Sequence, residues 1–295
     1  MSICKSSFNI IFFKFLKIFV NEKTAARIYM KKYLKLLKDI EFIDTSKDEP
    51  SDYKWTLWFQ DEMPEIVRVC IDSIKKFYPD LIVLNEHNIS DYIEIPNYIM
   101  EKHKCGIISH AHLSDYIRSC LLVKYGGVWF DSTLYMTQPI PKCIKNSDLF
   151  MFRYMNLSFP KNKIGKVMVS IFFKSVSSFF IVSKKNNYVM KVMKTFMETY
   201  WKDNNFLCHY FMWHYFIMLL VKYDKNVKNI FNNMYLVLSE VTFILQTVMY
   251  QEYDEKYFKM LKDSIFVHKL TYKNNEESDV NPNSYLKKLI SMTQN

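Results

Sequence analysis

Between residues 54 and 131 the chain alternates short apolar runs with amphipathic stripes, and this alternation restricts it to an α/β fold. Trp55–Phe59 and Leu81–Leu84 are too short for helices and suit buried strands. Between them Pro64 occupies a first-turn position and opens a helix through Phe77, with Ile66, Val67, Cys70, Ile71 and Ile74 along one stripe. Strand, helix, strand at this spacing predicts a βαβ unit with parallel pairing and a right-handed crossover. A further helix is expected over His110–Tyr125, with Leu113, Ile117, Leu121 and Leu122 on one face. It stops at Gly126–Gly127, because glycine takes the left-handed conformation after a helix at little cost. Val128–Phe130 then reads as a short strand with Asp131 at its carboxyl end, where open α/β sheets bind their ligands.

The flanking regions are less sharply patterned. Leu149–Arg153, Phe179–Val182 and Ser264–Leu270 are expected as strands, and Tyr188–Trp201, Phe206–Val221 and Lys222–Asn233 as helices. Asn274–Asn295 is polar and is expected to fray up to Tyr285–Ile290, and no internal repeat is visible. Residues 1–46 read as a helical N-terminal extension to a main domain over 47–295, joined through the polar stretch DTSKDEPSDYK. Within the extension, residues 8–20 are strongly apolar but carry Lys14 and Lys17, and they fall short of the ~20 residues of a membrane span. No small-residue cleavage site follows. Two readings stand: the Phe/Leu face packs on the domain, or the segment lies as a basic amphipathic helix on an anionic membrane.

Charge narrows the partners. The 295 residues carry a net charge of +10, which calls for an acidic counterpart: nucleic acid, an anionic membrane or a phosphorylated substrate. Only four of the 40 basic residues are arginine, the side chain best suited to bidentate base and phosphate recognition. No zinc-finger, RNP or helix-turn-helix pattern appears, so sequence-specific nucleic-acid binding is excluded. The six cysteines are dispersed without a CxxC pair, as in a chain that lives in a reducing cytosol.

Scarcity then singles out one segment. One of the four arginines and two of the four glycines fall within Ser114–Asp115–Tyr116–Ile117–Arg118, Leu121–Leu122 and Tyr125–Gly126–Gly127–Val128–Trp129–Phe130–Asp131. Asp115 and Arg118, three apart, project from one face of a helix. The pattern SDxxRxxxLxxxGGxWxD resembles the core of nucleotide-sugar glycosyltransferases of the GT-A fold. More narrowly, it is similar to the bacterial capsular polysaccharide synthesis proteins allied to glycosyltransferase family 32. WTLWFQDEMPEIVRVCIDSIKKFYPD, LNEHNISDYIEIPNYIMEKHKCGIISHAHLSD and SIFVHKLTYK extend the likeness.

The resemblance implies an α/β, GT-A-like (Rossmann-like) mixed sheet flanked by helices, with a largely helical C-terminal half. It implies a hexosyltransferase that moves a sugar from a nucleotide diphosphate, UDP above all, to a growing cell-surface polysaccharide or lipid-linked glycan, with retained anomeric configuration. Such an enzyme works in the cytoplasm, peripherally at the inner face of the cell membrane. Charge on the departing diphosphate must be neutralised, and a divalent metal, Mn²⁺ or Mg²⁺, does this as Lewis acid and template. On this likeness Asp131 is a catalytic metal ligand and Arg118 acts both in catalysis and, with Asp115, in anchoring the donor. Gly126 and Gly127 let backbone approach the donor, and Trp58 and Gln60 border the nucleotide.

The chain departs from the usual Asp-x-Asp, reading Asp131–Ser132–Thr133, so one carboxylate is missing. His268 is expected to complete the metal site, with Lys269 or Lys273 meeting the diphosphate directly. Tyr210, Trp213 and His214, three or four apart on an expected helix, are the candidate acceptor platform, since aromatic faces stack on sugars. His110 and His112 cap the Asp115 helix or line the pocket. The alternative reading is a nucleotide-sugar or glycan-binding protein with weak or absent catalysis. A basic membrane scaffold is a third, and it leaves the Asp115–Asp131 segment unexplained.

Overall fold

The computed structural model describes residues 2–158, 170–273 and 281–294. Two helices, α1 (Ser2–Phe19) and α2 (Glu22–Met30), and a 3₁₀ segment (Lys31–Lys38) come first. Then follow β1 (Lys54–Leu57), α3 (Glu65–Phe77), β2 (Ile82–Leu84), α4 (Asn97–Lys104), α5 (His110–Lys124), β3 (Gly127–Phe130), β4 (Leu134–Met136) and α6 (Lys142–Lys145). The second half comprises β5 (Leu149–Ser158), β6 (Ser170–Ser183), α7 (Tyr188–Asp203), α8 (Met212–Tyr223), α9 (Lys225–Asn233), α10 (Ser239–Thr242), α11 (Ile244–Val248), α12 (Glu255–Ser264), β7 (Val267–Lys269) and α13 (Tyr285–Gln294).

Among the described residues the main sheet has five strands in the order β2-β1-β3-β6-β5. β1 pairs in parallel with β2 and β3, as the βαβ pattern predicts, with Trp55 opposite both Ile82 and Trp129. β6 then runs antiparallel to β3 and β5, making the sheet mixed. This is the α/β mixed sheet with flanking helices and a mainly helical second half that the sequence leads one to expect. β4 and β7 form a separate antiparallel pair in which Tyr135 opposes His268.

Local chemistry explains the boundaries. α3 starts directly after Pro64, and α5 after Ser109, whose hydroxyl caps the His112 N–H. α5 ends at two glycines with φ of +71° and +96°, a region where a side chain is strained. A Cβ on Gly127 would lie 2.1 Å from the Tyr53 carbonyl, and one on Gly126 2.6 Å from the Lys185 amide. Both glycines therefore serve the entry into β3, where Val128 donates to the Tyr53 carbonyl at 2.8 Å. They stand at the opposite end of a four-residue strand from Asp131, roughly 13 Å or more of extended chain away. The expectation that they make room for the donor is thus corrected.

The N-terminal helices are present, and α2 with the 3₁₀ segment is built into the core. Ala25 and Ala26 are fully buried, and small side chains let α2 approach α8 closely. The Tyr29 hydroxyl donates to Asn204, whose amide in turn donates to the Tyr33 hydroxyl at 2.7 Å. α8 begins at Met212 instead of Phe206. The Tyr200 hydroxyl donates to the Phe206 carbonyl and accepts from the Cys208 amide, both at 2.9 Å, and these bonds hold 206–208 outside a helical ladder. No helix among the described residues is long and apolar enough to cross a membrane.

Candidate active site

The carboxyl ends of β1 and β3 open into a cleft of about 260 Å³. Asp131 stands just beyond β3, its N–H donating to the Phe179 carbonyl at 2.7 Å and its carbonyl accepting from Leu134 at 3.0 Å. Trp129, two residues back and so on the same side of the extended chain, donates its indole N–H to Asp131 Oδ1 at 3.0 Å. Arg118 Nη2 lies 3.4 Å from the same oxygen, and Lys269 Nζ lies 3.7 Å from Oδ2. The β4–β7 pair brings Lys269 there: Leu270 donates to the Thr133 carbonyl at 2.9 Å, folding the late strand back over the tip of β3.

Arg118 is buried and held on every side. Its Nε donates to the Ser114 carbonyl at 3.3 Å, Nη2 to the Ser114 hydroxyl at 3.1 Å, and Nη1 to the Ser178 carbonyl. Its guanidinium lies 4.9 Å from the centre of the Trp129 ring. Asp115 Oδ1 sits 3.5 Å from Nη2, so the guanidinium bridges two carboxylates. Burial pushes the Asp115 pKa up to about 6, with Asp131 adding to the rise and Arg118 opposing it. Lys269 hydrogen-bonds Thr133 Oγ1; burial lowers its pKa, and Asp131 partly restores it.

Eight of the candidate residues named from the sequence line this cleft: Trp58, Gln60, His110, Arg118, Asp131, Tyr210, Lys269 and Lys273. Asp115 lies behind it, supporting Arg118. Trp58 donates its indole N–H to the Glu62 carbonyl at 3.0 Å and meets Tyr272 edge-on, so its ring is fixed. Tyr210 precedes α8 and is half exposed. Its carbonyl accepts a 3.0 Å bond from His112 Nε2, and His112 Nδ1 is 2.7 Å from the Ser109 hydroxyl. Burial lowers the His112 pKa, so the neutral ring donates from Nε2 and accepts at Nδ1.

Two expectations fail on geometry. Trp213 is fully buried, its indole N–H directed at the Ser119 hydroxyl, so it offers no face to an acceptor. Tyr210 lies outside the helix, and the expected three-residue aromatic stripe does not form. His214, on α8, has a buried Nδ1 without a hydrogen-bond partner. Its pKa is pushed down to about 3, first by burial and then by Arg118, which keeps it uncharged behind the site. His268 is the second failure. Successive strand residues point to opposite faces, so with Lys269 turned towards Asp131, His268 faces the core. It is 0% exposed, and neither ring nitrogen has a hydrogen-bond partner.

The donor set decides how well a divalent cation fits. Among the described residues Asp131 is the one carboxylate lining the cleft, and its oxygens already face an indole N–H, a guanidinium and an ammonium. Among the described residues no group of three His, Cys, Asp or Glu converges on a point. These residues do not fit a cation held by protein ligands. They fit an anion: Arg118, Lys269 and Lys273 face the cleft, against a single acid among the described residues.

Sequence reasoning missed the residues that fix the cations. Trp129 was visible in the motif without a role, and its position two before Asp131 was the available signal. Ser178, on β6 and 60 positions from Arg118, carried no signal at all, because strand order alone brings it there.

A solved structure titled "PaToxG Glycosyltransferase" matches with a TM-score of 0.38 and 14% identity, covering 70% of this chain and 82% of that one. No curated protein matches. The family model described as capsular polysaccharide synthesis protein matches residues 9–289, nearly the whole length, and the chain belongs to that family.

Proposed function

We infer that the protein is a glycosyltransferase that takes a sugar from a nucleoside diphosphate, UDP foremost, and passes it to a growing surface polysaccharide or a lipid-linked glycan at the inner face of the cell membrane. One observation carries the reading: a cleft at the strand tips holds Asp131 between Arg118 and Lys269, with Lys273 on its rim. A departing diphosphate needs preorganised positive charge, and donors fixed in a partly buried site supply it without reorganisation. Arg118 is fixed by Ser114 and Ser178, and Lys269 by Thr133. In this reading the two cations take the part that Mn²⁺ or Mg²⁺ would otherwise play, and no step is routed through a metal.

Trp58 and Gln60 border the nucleotide, and Tyr210 presents the exposed ring to the acceptor. The groups lining the cleft bear on the stereochemistry. Inversion calls for a general base free to take the acceptor's proton, and double displacement for a free carboxylate as nucleophile. Among the described lining residues Asp131 stands alone and tied to cations, which favours same-face attack with retention.

Calorimetry with UDP and uridine, each with EDTA or Mn²⁺, tests the assignment. UDP is expected to bind in EDTA, and Lys269→Ala is expected to weaken UDP by about 10-fold or more while leaving uridine unchanged. Equal losses for both ligands, or UDP binding only with Mn²⁺, would remove the cationic assignment. Donor binding without sugar transfer to any glycan acceptor would favour the non-catalytic alternative.

A further inference from the structure

α1 has two different faces. At 3.6 residues per turn, Ser6, Asn9, Phe13, Leu16 and Val20 fall on one side, and these hold the helix to the domain. Phe13 packs against Tyr29 and Phe206, Asn9 donates to the Asp203 carbonyl at 3.1 Å, and the Ser6 hydroxyl accepts from Asn205. Phe8, Ile11, Phe12, Phe15, Ile18 and Phe19 fall on an arc of roughly 120° turned away from that side. All six are exposed, from 41% at Phe12 to 75% at Ile18. Scattered exposed apolar residues need no account, but six contiguous large ones on a single helix face mark a contact surface.

Charge selects the occupant. Residues 1–38 contain nine basic side chains and one acidic, Glu22, so +8 of the net +10 lies in the first 38 of 295 residues. α1 itself has no acid; exposed Lys14 follows the edge of the apolar arc, and Lys17 pairs with Glu22 at 3.0 Å. An apolar arc with a basic surround matches an anionic lipid surface, where the arc enters the acyl boundary and the cations meet headgroups. A second copy of this chain would bring the same excess of positive charge to its own partner and is disfavoured.

We propose that α1 is an in-plane membrane anchor, its Phe8–Phe19 arc seated in the interface of an anionic bilayer while its Phe13 side stays fixed to the domain. The proposal stands on the apolar arc of α1 and the charge of residues 1–38, and is independent of the reaction the cleft carries out. The fixed inner face makes the anchor a rigid part of the protein, so the orientation of the whole domain on the bilayer is set by one helix.

Co-sedimentation of the full chain with vesicles of phosphatidylcholine and phosphatidylglycerol, against phosphatidylcholine alone, tests it. Binding is expected with the mixed vesicles at about 0.1 M salt, weakening as salt screens the lysines, and little with the neutral ones. The triple variant Ile11→Gln/Phe15→Gln/Ile18→Gln keeps helix-forming residues and should lose at least ~10-fold in partitioning with an unchanged melting temperature. Ile18→Glu, at the most exposed position, reads the same loss should the triple variant fail to fold. Failure of the wild-type chain to sediment, or wild-type binding by a folded variant, overturns the proposal. Light scattering that shows a dimer abolished by the triple variant, without vesicle binding, would assign the arc to a second copy instead.

Discussion

Asp115→Asn probes what the site costs the fold. The Asp115 carboxyl is 7% exposed, and its pKa is raised from 3.8 to about 6 because burial disfavours its charge more than Arg118 favours it. A group whose pKa is higher folded than unfolded stabilises the fold below its unfolded pKa, and that contribution is lost as pH rises through the folded value. For Asp115 the window is therefore pH 4 to 6. A shift of about two units corresponds to roughly 3 kcal/mol in full, of which about 2 kcal/mol develops between pH 4 and 7. Asparagine keeps the shape and removes the titration, so the variant should gain about 2 kcal/mol over the wild type across that range. In a chain of this length the gain is about 3 °C in melting temperature. Urea unfolding of both proteins at several pH values from 4 to 7.5 isolates the difference, since groups outside the Asp115–Arg118–Asp131 cluster titrate alike. Donor affinity should fall at the same time, because Arg118 loses a carboxylate that helps to fix it. A stability difference that is flat with pH would refute the desolvation argument and return Asp115 to an ordinary ion pair.

Asp131→Ala should leave the melting temperature within a few degrees and cut sugar transfer by at least ~10²-fold, measured as nucleoside diphosphate release with acceptor present. Gly127→Ala places a Cβ 2.1 Å from the Tyr53 carbonyl at a φ of +96°, and should cost about 3 kcal/mol or more, seen as a loss of soluble protein or a fall in the urea midpoint. A chain starting at Lys47 removes Tyr29 and Tyr33 from beside Tyr200, Phe206 and Asn204, and should aggregate on expression; a soluble, cooperatively melting product would show that α2 is dispensable.

Much of the frame was legible in the residues themselves. The 3.6-residue stripe of α3, the Pro64 start, the double-glycine stop of α5 and the strand-tip position of Asp131 are local properties, set by side-chain volume and backbone freedom within a few residues. The order of Asp115, Arg118 and Asp131 likewise announced a site, because two of them share a helix and the third follows the next strand.

What surrounds those three residues was decided only by folding. His268 and Lys269 are neighbours in sequence, and strand alternation gives one to the core and the other to Asp131; which goes where depends on the register of β7 against β4. Tyr210 and Trp213 were read as one helical stripe, but the Tyr200 hydroxyl holds 206–208 off the helix, so one ring lines the cleft and the other fills the core. In α1 the packing reading holds for one face of the helix only. Its apolar residues are too many for a single face, so Phe13 and Leu16 pack inward while Phe15 and Ile18 stay open. Periodicity and capping act over a few residues and can be read along the chain. Register, and the choice of which face of an element meets a neighbour, are settled by contacts between elements, some of them a hundred or more positions apart, because only the packed tertiary structure brings them together.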